Sequence, residues 1–162
     1  MKRLWAPWRI KFVQSQDPNP KCVFCRVQAQ TDDAGNLIVY RGRNAFVILN
    51  RYPYTSGHLM VVANLHHASL EDLDAQTRFE MMELATQGMV ILRKVYHPEA
   101  FNLGANIGEA AGTGIAGHVH LHVVPRWSGD TNFMSALAET RVLPEELDET
   151  YSRISFAWNK FD

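Results

Sequence analysis

The chain has 162 residues, 46% of them hydrophobic and 20% charged, a composition typical of one globular domain with its own core. Its 16 basic residues are balanced by 17 acidic ones, and the net charge of -1 argues against a surface that binds a nucleic acid polymer. The basic, aromatic N-terminal sequence MKRLWAPWRIKFV lacks the apolar centre of a signal peptide, and no apolar run approaches the length of a membrane span. We therefore expect a cytoplasmic protein with no membrane partner.

The first 36 residues are expected to form an extension before the core. Residues 14–21 are polar and contain two prolines, which indicates a surface connection. The only two cysteines of the chain follow directly, Cys22 and Cys25, in the spacing C-x-x-C. In a reducing compartment this spacing indicates metal binding or redox chemistry more than a structural disulfide.

The core is expected over residues 37–127, where short apolar runs rich in β-forming residues predict about five strands. Pro53 and Gly57 predict a turn between two of these strands, and Pro125 is expected to end the last one. Short hairpin-like connections indicate an antiparallel sheet and hence the α+β class. The predicted strands are residues 37–40, 45–50, 58–63, 100–107 and 117–124.

Two helices are predicted beside the sheet. Apolar residues recur at helical spacing from Ser69 to about Tyr96, with Ser69 as the expected N-cap and His97-Pro98 at the end. A second helix is expected over residues 144–158, within a C-terminal segment that begins at residue 128. The whole chain, residues 1–162, is expected to be a single domain.

The most informative segment is HVHLHVV, residues 118–124. Side chains alternate along a strand, so His118, His120 and His122 should share one face, about 7 Å apart from one to the next. A chance run of histidines does not explain alternation over an apolar face. Two alternatives remain: a three-histidine metal site, or a nucleophilic imidazole flanked by phosphate-binding imidazoles. The spacing alone does not separate them.

The residues upstream of this segment favour the nucleophile. Asn106 is followed by a glycine-rich loop, GEAAGTGIAG, over residues 108–117. Backbone N–H groups in such a loop can hold phosphate oxygens, so its position beside the histidines indicates a phosphate-containing substrate.

Residues 118–124 resemble the signature of the histidine-triad (HIT) family, H-x-H-x-H-x-x with x apolar, at every position. The sequence NRYPYTSGHLMVV, residues 50–62, looks like the ribose-binding strand, turn and active-site histidine of that family. LWAPWR, AGTGIAGH and VVPRWSGDTNF are similar to the bacterial branch that handles diadenosine polyphosphates. The resemblance covers most of the chain and implies the α+β HIT fold, and we expect a homodimer.

By position, the resemblance implies that His120 is the nucleophile, with its Nδ1–H bonded to a backbone carbonyl near His118, the first histidine of the triad. It also implies that His122 contacts the phosphate and that His58 lines the same pocket. Asn50 falls at the ribose position, and the remaining substrate-binding residues expected are Asn106, Gly112, Thr113, Gly114 and Trp127.

The resemblance further implies a structural zinc held by two cysteines and two histidines, although simple buried thiols are the alternative. The ligand set is Cys22, Cys25, His66 and His118, with His67 as a less well-spaced substitute for His66. Such a set is an ordinary structural zinc site.

The expected activity is cleavage of a dinucleoside polyphosphate, diadenosine tetraphosphate first, through a covalent nucleotidyl-histidine. Hydrolases of the family often carry Gln in the glycine-rich loop and phosphorylases Ser or Thr, and this loop reads Gly-Thr-Gly around Thr113. The acceptor therefore remains open between inorganic phosphate, which we favour, and water. The alternatives are a nucleoside phosphoramidase and a nucleotide-sensing module with little turnover.

Overall fold

A five-stranded antiparallel sheet forms the centre of the structure, a computed structural model that describes residues 22–130 and 145–161. The strands lie in the order β1-β2-β3-β5-β4, and each pair of neighbours is antiparallel. This confirms the predicted α+β class. The N-terminal sequence MKRLWAPWRIKFV and the start of the predicted second helix lie outside the described residues. The strands are β1 Ile38–Arg41, β2 Ala45–Leu49, β3 Leu59–Ala63, β4 Ala100–Gly104 and β5 His120–Arg126.

The central strands are buried on both faces. Every residue of β2 and β3 is buried, so these strands do not show the alternation of a sheet with one face in water. By contrast β4 lies at an edge of the sheet, and four of its five residues are exposed. The core of the protein therefore surrounds β2, β3 and β5.

Within residues 22–130 and 145–161, four α-helices accompany the sheet: α1 Val23–Gln28, α2 Asp33–Asn36, α3 Ala75–Tyr96 and α4 Leu147–Asn159. Helix α3 packs across β2, β3 and β5, and Gly88 allows its close approach, because a Cβ there would lie 3.2 Å from Leu59. Helix α4 packs on α3 and β1, where the Trp158 ring stacks on Tyr40. None of the described helices is both long and apolar enough to cross a membrane.

The predicted start of the long helix at Ser69 is wrong. Residues Leu70–Asp72 form a separate 3₁₀ turn, and α3 begins only after Asp74, whose carboxylate accepts the backbone N–H of Thr77. Ser69 instead directs its hydroxyl to the carboxylate of Glu71. Ser69 and Asp74 are both residue types that commonly cap a helix, but only the carboxylate of Asp74 accepts a backbone N–H of the first turn of α3.

Strands β4 and β5 also differ from the prediction at three of their ends. Strand β4 ends at Gly104 instead of residue 107, and β5 begins at His120 and continues through Pro125 to Arg126. Proline is tolerated at position 125 because β5 extends beyond its pairing with β3, which ends at Val123. On that side of the strand, the Pro125 carbonyl accepts the hydroxyl of Thr55. The missing N–H points to the same side as this carbonyl, so no bond to β4 is lost.

Candidate active site and metal site

His120, the first residue of β5, has a ring whose protonation pattern is set by the backbone. It is 5% exposed, and its Nδ1–H donates to the carbonyl oxygen of His118 at 2.9 Å. Because a carbonyl can only accept, the proton lies on Nδ1 and the neutral ring keeps its lone pair on Nε2. Burial lowers the pKa of the His120 imidazole, and the bond to the His118 carbonyl opposes only part of that effect. A neutral imidazole with an unprotonated Nε2 is the form in which histidine acts as a nucleophile.

A hydrogen bond joins the rings of His58 and His122 and fixes their protonation pattern. The backbone N–H of Tyr54 donates to Nδ1 of His58 at 3.1 Å, so the proton of neutral His58 lies on Nε2. That nitrogen is 2.9 Å from Nδ1 of His122, to which it donates. The proton of neutral His122 is then on its Nε2, where it can be donated to a phosphate oxygen.

The two imidazoles of β5 lie side by side. The ring centroids of His120 and His122 are 4.8 Å apart, and the rings are inclined by 72°. His122 is half-buried, whereas His58 behind it is fully buried. One nitrogen that can attack and one N–H that can donate are thus adjacent, an arrangement suited to a phosphoryl group.

His118 departs from the expected row of three. It precedes β5, and its ring is directed into a cluster with Cys22, Cys25 and His66. The four ligand atoms of this cluster lie within 4.8 Å of one another. The prediction of a row of three imidazoles on one strand face is therefore wrong, because only His120 and His122 belong to β5, whereas the position of His118 agrees with the metal-ligand set that the resemblance implied.

The distances in this cluster fit a tetrahedral metal ion. Cys22 Sγ is 3.3 Å and Cys25 Sγ 3.6 Å from Nδ1 of His118, and Cys25 Sγ is 3.3 Å from Nδ1 of His66. Zinc bonds of about 2.3 Å to sulfur and 2.0–2.1 Å to nitrogen place tetrahedral ligand atoms roughly 3.5 Å apart. His67 is not in the cluster, and its carbonyl accepts the backbone N–H of Val119 at 2.7 Å.

The protonation of the cluster also suits a cation. Nε2 of His118 lies 2.8 Å from the carbonyl of Ala63, so this nitrogen carries the proton and Nδ1 is free to bind a metal. Burial raises the pKa of the Cys22 thiol, but its contacts with the His118 ring and with backbone N–H groups outweigh burial and lower that pKa to about 6, whereas burial and the neighbouring Cys22 raise the pKa of Cys25. Cys22 therefore ionises readily to the thiolate that zinc requires.

Of the remaining predicted substrate residues, Asn50 contacts a site histidine, and the others lie in the segments before and after β5. Asn50 follows β2 directly, and its Nδ2 is 3.4 Å from Nδ1 of His58. Asn106 is half-buried between β4 and the glycine-rich loop, in which Gly112 has a φ of 79°. The Thr113 hydroxyl accepts the backbone N–H of Ile115. Just beyond β5, the backbone N–H of Trp127 donates to the carboxylate of Asp130, so both hydrogen bonds join residues close in sequence. Gly114 is exposed in the same loop.

Two aromatic residues at the site were not predicted. Tyr54 places its ring 4.7 Å from that of His58, and Phe24 places its ring 5.0 Å from that of His120. The sequence held one signal for Phe24, since it lies between the two cysteines in CVFC. The backbone N–H of Tyr54 that orders His58 has no sequence signal, because every residue except proline carries that group.

Known proteins are similar to this chain in sequence and in fold. Residues 32–129 match the model of the HIT domain family. The chain is 36% identical over 166 aligned positions to a Mycobacterium tuberculosis protein named AP-4-A phosphorylase, an alignment that covers 98% of this chain and 85% of the relative.

Solved structures agree with this match. A Zn-bound histidine triad family protein from Mycobacterium smegmatis superposes with a TM-score of 0.71 at 30% identity, covering 88% of this chain and 96% of that one. The fold is also shared by Plasmodium falciparum diadenosine triphosphate hydrolase, with a TM-score of 0.60 at 16% identity over 78% of this chain and 76% of that one. The predicted fold and family are thus confirmed, and the chain belongs to the histidine-triad family.

Proposed function

We propose that the protein is an enzyme that cleaves dinucleoside polyphosphates, diadenosine tetraphosphate first, through a nucleotidyl intermediate on His120. The observation that carries the proposal is the bond from Nδ1–H of His120 to the His118 carbonyl, which leaves Nε2 unprotonated. The identity of 36% with a protein named AP-4-A phosphorylase supports the choice of substrate.

In the first step, the Nε2 lone pair of His120 attacks the α-phosphorus of the dinucleotide. A P–N bond forms, the bond from that phosphorus to the bridging oxygen breaks, and ATP leaves with the bond's electron pair. The Nε2–H of His122 is placed to donate to the phosphoryl group, supported from behind by His58. Such a donor stabilises the charge that develops on phosphoryl oxygens in the transition state.

In the second step, an acceptor oxygen attacks the same phosphorus, the P–N bond breaks and His120 is regenerated. Inorganic phosphate as acceptor gives ADP, whereas water gives AMP. We assign the ribose to Asn50 and the phosphates to Asn106 and the glycine-rich loop, including Gly112, Thr113 and Gly114. Trp127 is assigned to the wall that limits access of water.

We propose phosphate as the acceptor. Incubation of the enzyme with diadenosine tetraphosphate should yield ADP and ATP when phosphate is present, and the rate should rise with phosphate concentration. Chromatography of the products, with and without phosphate, measures this directly. An unchanged rate with AMP and ATP as products would show that the enzyme is a hydrolase.

Thr113→Ala tests where the phosphate binds. Loss of one hydrogen bond to a charged group costs about 1.5–3 kcal/mol, so KM for phosphate should rise by roughly tenfold or more, while KM for the dinucleotide changes little. Thr113→Ser keeps the hydroxyl and is the matched control. An equal rise of both KM values in Thr113→Ala would contradict a phosphate-specific role.

We also propose that the cluster Cys22, Cys25, His66 and His118 holds a structural zinc. The donor set and distances support this, as does the Zn-bound relative. The bound ion would cross-link α1, the segment after β3 and the residues before β5, and it has no assigned part in the reaction.

A homodimer is proposed from the surface of α3 and β4. Phe79, Met82 and Leu103 are 66%, 46% and 41% exposed, and β4 is a sheet edge without a second neighbour among the described strands. An open sheet edge and exposed apolar side chains each favour pairing with a second copy. Sedimentation equilibrium should give twice the chain mass, and Phe79→Lys with Met82→Lys should give one chain mass.

A further inference from the structure

The side chain of Phe24 lies between the metal cluster and His120. Its ring centroid is 5.0 Å from that of His120 at an interplanar angle of 59°, and 5.4 Å from that of His118 at 78°. Both distances and both tilts belong to the favourable range for aromatic pairs. Phe24 is 3% exposed, so its ring is held in place by the surrounding core.

His120 is therefore restrained at two points from the side of the metal cluster, once by the ligand residue His118 and once by Phe24. The carbonyl of His118 holds Nδ1, and the ring of Phe24, which the chain places between Cys22 and Cys25, covers part of the imidazole. The hydrogen bond alone fixes one atom of the ring. The χ2 angle of a histidine has no sharp intrinsic preference, so ring contacts are needed to define the plane of the ring. Two such contacts flank His120, the half-buried His122 ring at 4.8 Å and the buried Phe24 ring at 5.0 Å.

We propose that Phe24 is a positioning residue for His120, and that the metal-binding turn is thereby part of the scaffold of the active site. The inference rests on the proposed role of His120 as nucleophile. A nucleophile must keep its lone pair aligned with the phosphorus, and a displacement of about 1 Å can lower a rate by 10²-fold. By restraining the imidazole plane, Phe24 keeps Nε2 directed at the substrate.

A purely structural role for Phe24 predicts a different result, and Val27 provides the comparison. Val27 lies three residues further along α1, is 8% exposed and belongs to the same core. Removing either side chain should weaken the packing of α1. Only removal of the Phe24 side chain should loosen the orientation of the His120 ring.

The experiment compares Phe24→Ala, Phe24→Leu and Val27→Ala in the full chain, each with its zinc content verified by elemental analysis. Phe24→Ala should lower kcat for diadenosine tetraphosphate by about 10- to 100-fold with KM changed by less than about threefold. Phe24→Leu restores bulk beside the ring and should recover part of the rate. Val27→Ala should lower Tm comparably while kcat stays within about twofold of the parent.

A second readout does not depend on the reaction. In isotope-labelled protein, the hydrogen-bonded Nδ1–H proton of His120 should be observable by NMR in the parent and in Val27→Ala, and should exchange rapidly in Phe24→Ala. An unchanged proton signal and an unchanged kcat in Phe24→Ala would overturn the inference. So would a loss of kcat that only follows a loss of zinc. If His120→Gly retains turnover, the proposed function fails, whereas the NMR result still decides whether Phe24 positions the ring.

Discussion

His120→Gly should abolish turnover, lowering kcat by several orders of magnitude while the fold and nucleotide binding are largely kept. The attacking nitrogen is removed, and no second histidine can replace it, because Nδ1 of His122 accepts from His58 and its Nε2 carries a proton. The measurement is single-turnover kinetics with diadenosine tetraphosphate, and calorimetry separately measures the affinity for the nucleotide.

His97→Gly is the matched control for this substitution. His97 is an exposed histidine at the end of α3 with a φ of 50°, a conformation that glycine adopts without strain. It should therefore keep the parental kcat. Mass spectrometry of quenched parental enzyme should in addition reveal a nucleotide attached to His120.

Three other outcomes would redirect the functional conclusion. Near-normal turnover in His120→Gly would reject the nucleophile. Tight nucleotide binding without a covalent species or turnover in the parent would indicate a nucleotide-sensing module. Faster cleavage of a nucleoside phosphoramidate than of the dinucleotide would indicate a phosphoramidase, since the same imidazole can attack that phosphorus.

The sequence was sufficient for the fold class because its signals are local. Continuous apolar runs predicted strands that the structure confirms, and the long helix followed from its periodicity. The first residue of that helix could not be predicted from the sequence, because Ser69 and Asp74 are both residue types that commonly cap a helix. The buried side chain of Leu73, in extended conformation between them, separates the 3₁₀ turn from the helix. That separation depends on packing against distant residues and leaves no periodic pattern.

A local sequence pattern also could not predict that His118 lies in a different site from His120 and His122. Alternation correctly brings His120 and His122 together, yet His118 is directed elsewhere by residues far along the chain. The Ala63 carbonyl bonds its Nε2, and Cys22, 96 positions earlier, faces its Nδ1. The family resemblance named these metal ligands, whereas the residue spacing left metal and nucleophile undecided. The contact of Phe24 with His120 has no counterpart in any short pattern for the same reason.

Removal of the proposed zinc should have the second largest effect, mainly on stability. The ligands come from three separate segments, so the bound ion restricts the chain at α1, after β3 and before β5. We expect about one zinc per chain. By comparison with a native disulfide, which also cross-links the chain, its removal should cost roughly 2–5 kcal/mol, which at about 2–4 °C per kcal/mol lowers Tm by on the order of 10 °C. Elemental analysis and thermal melts before and after chelation measure both quantities.

The adjacent histidines of the segment after β3 supply a matched pair for this test. His66→Ala removes a ligand, whereas His67→Ala removes a side chain outside the cluster and keeps the backbone carbonyl that accepts the Val119 N–H. Only His66→Ala should lose the zinc and, with it, most of the stability that the zinc provides. Its kcat should fall less than that of His120→Gly, because the bond between His120 and the His118 carbonyl does not involve the metal. If unchelated protein contains no zinc, Cys22 and Cys25 are ordinary thiols, and packing of buried residues such as Phe24 and Val27 stabilises this turn.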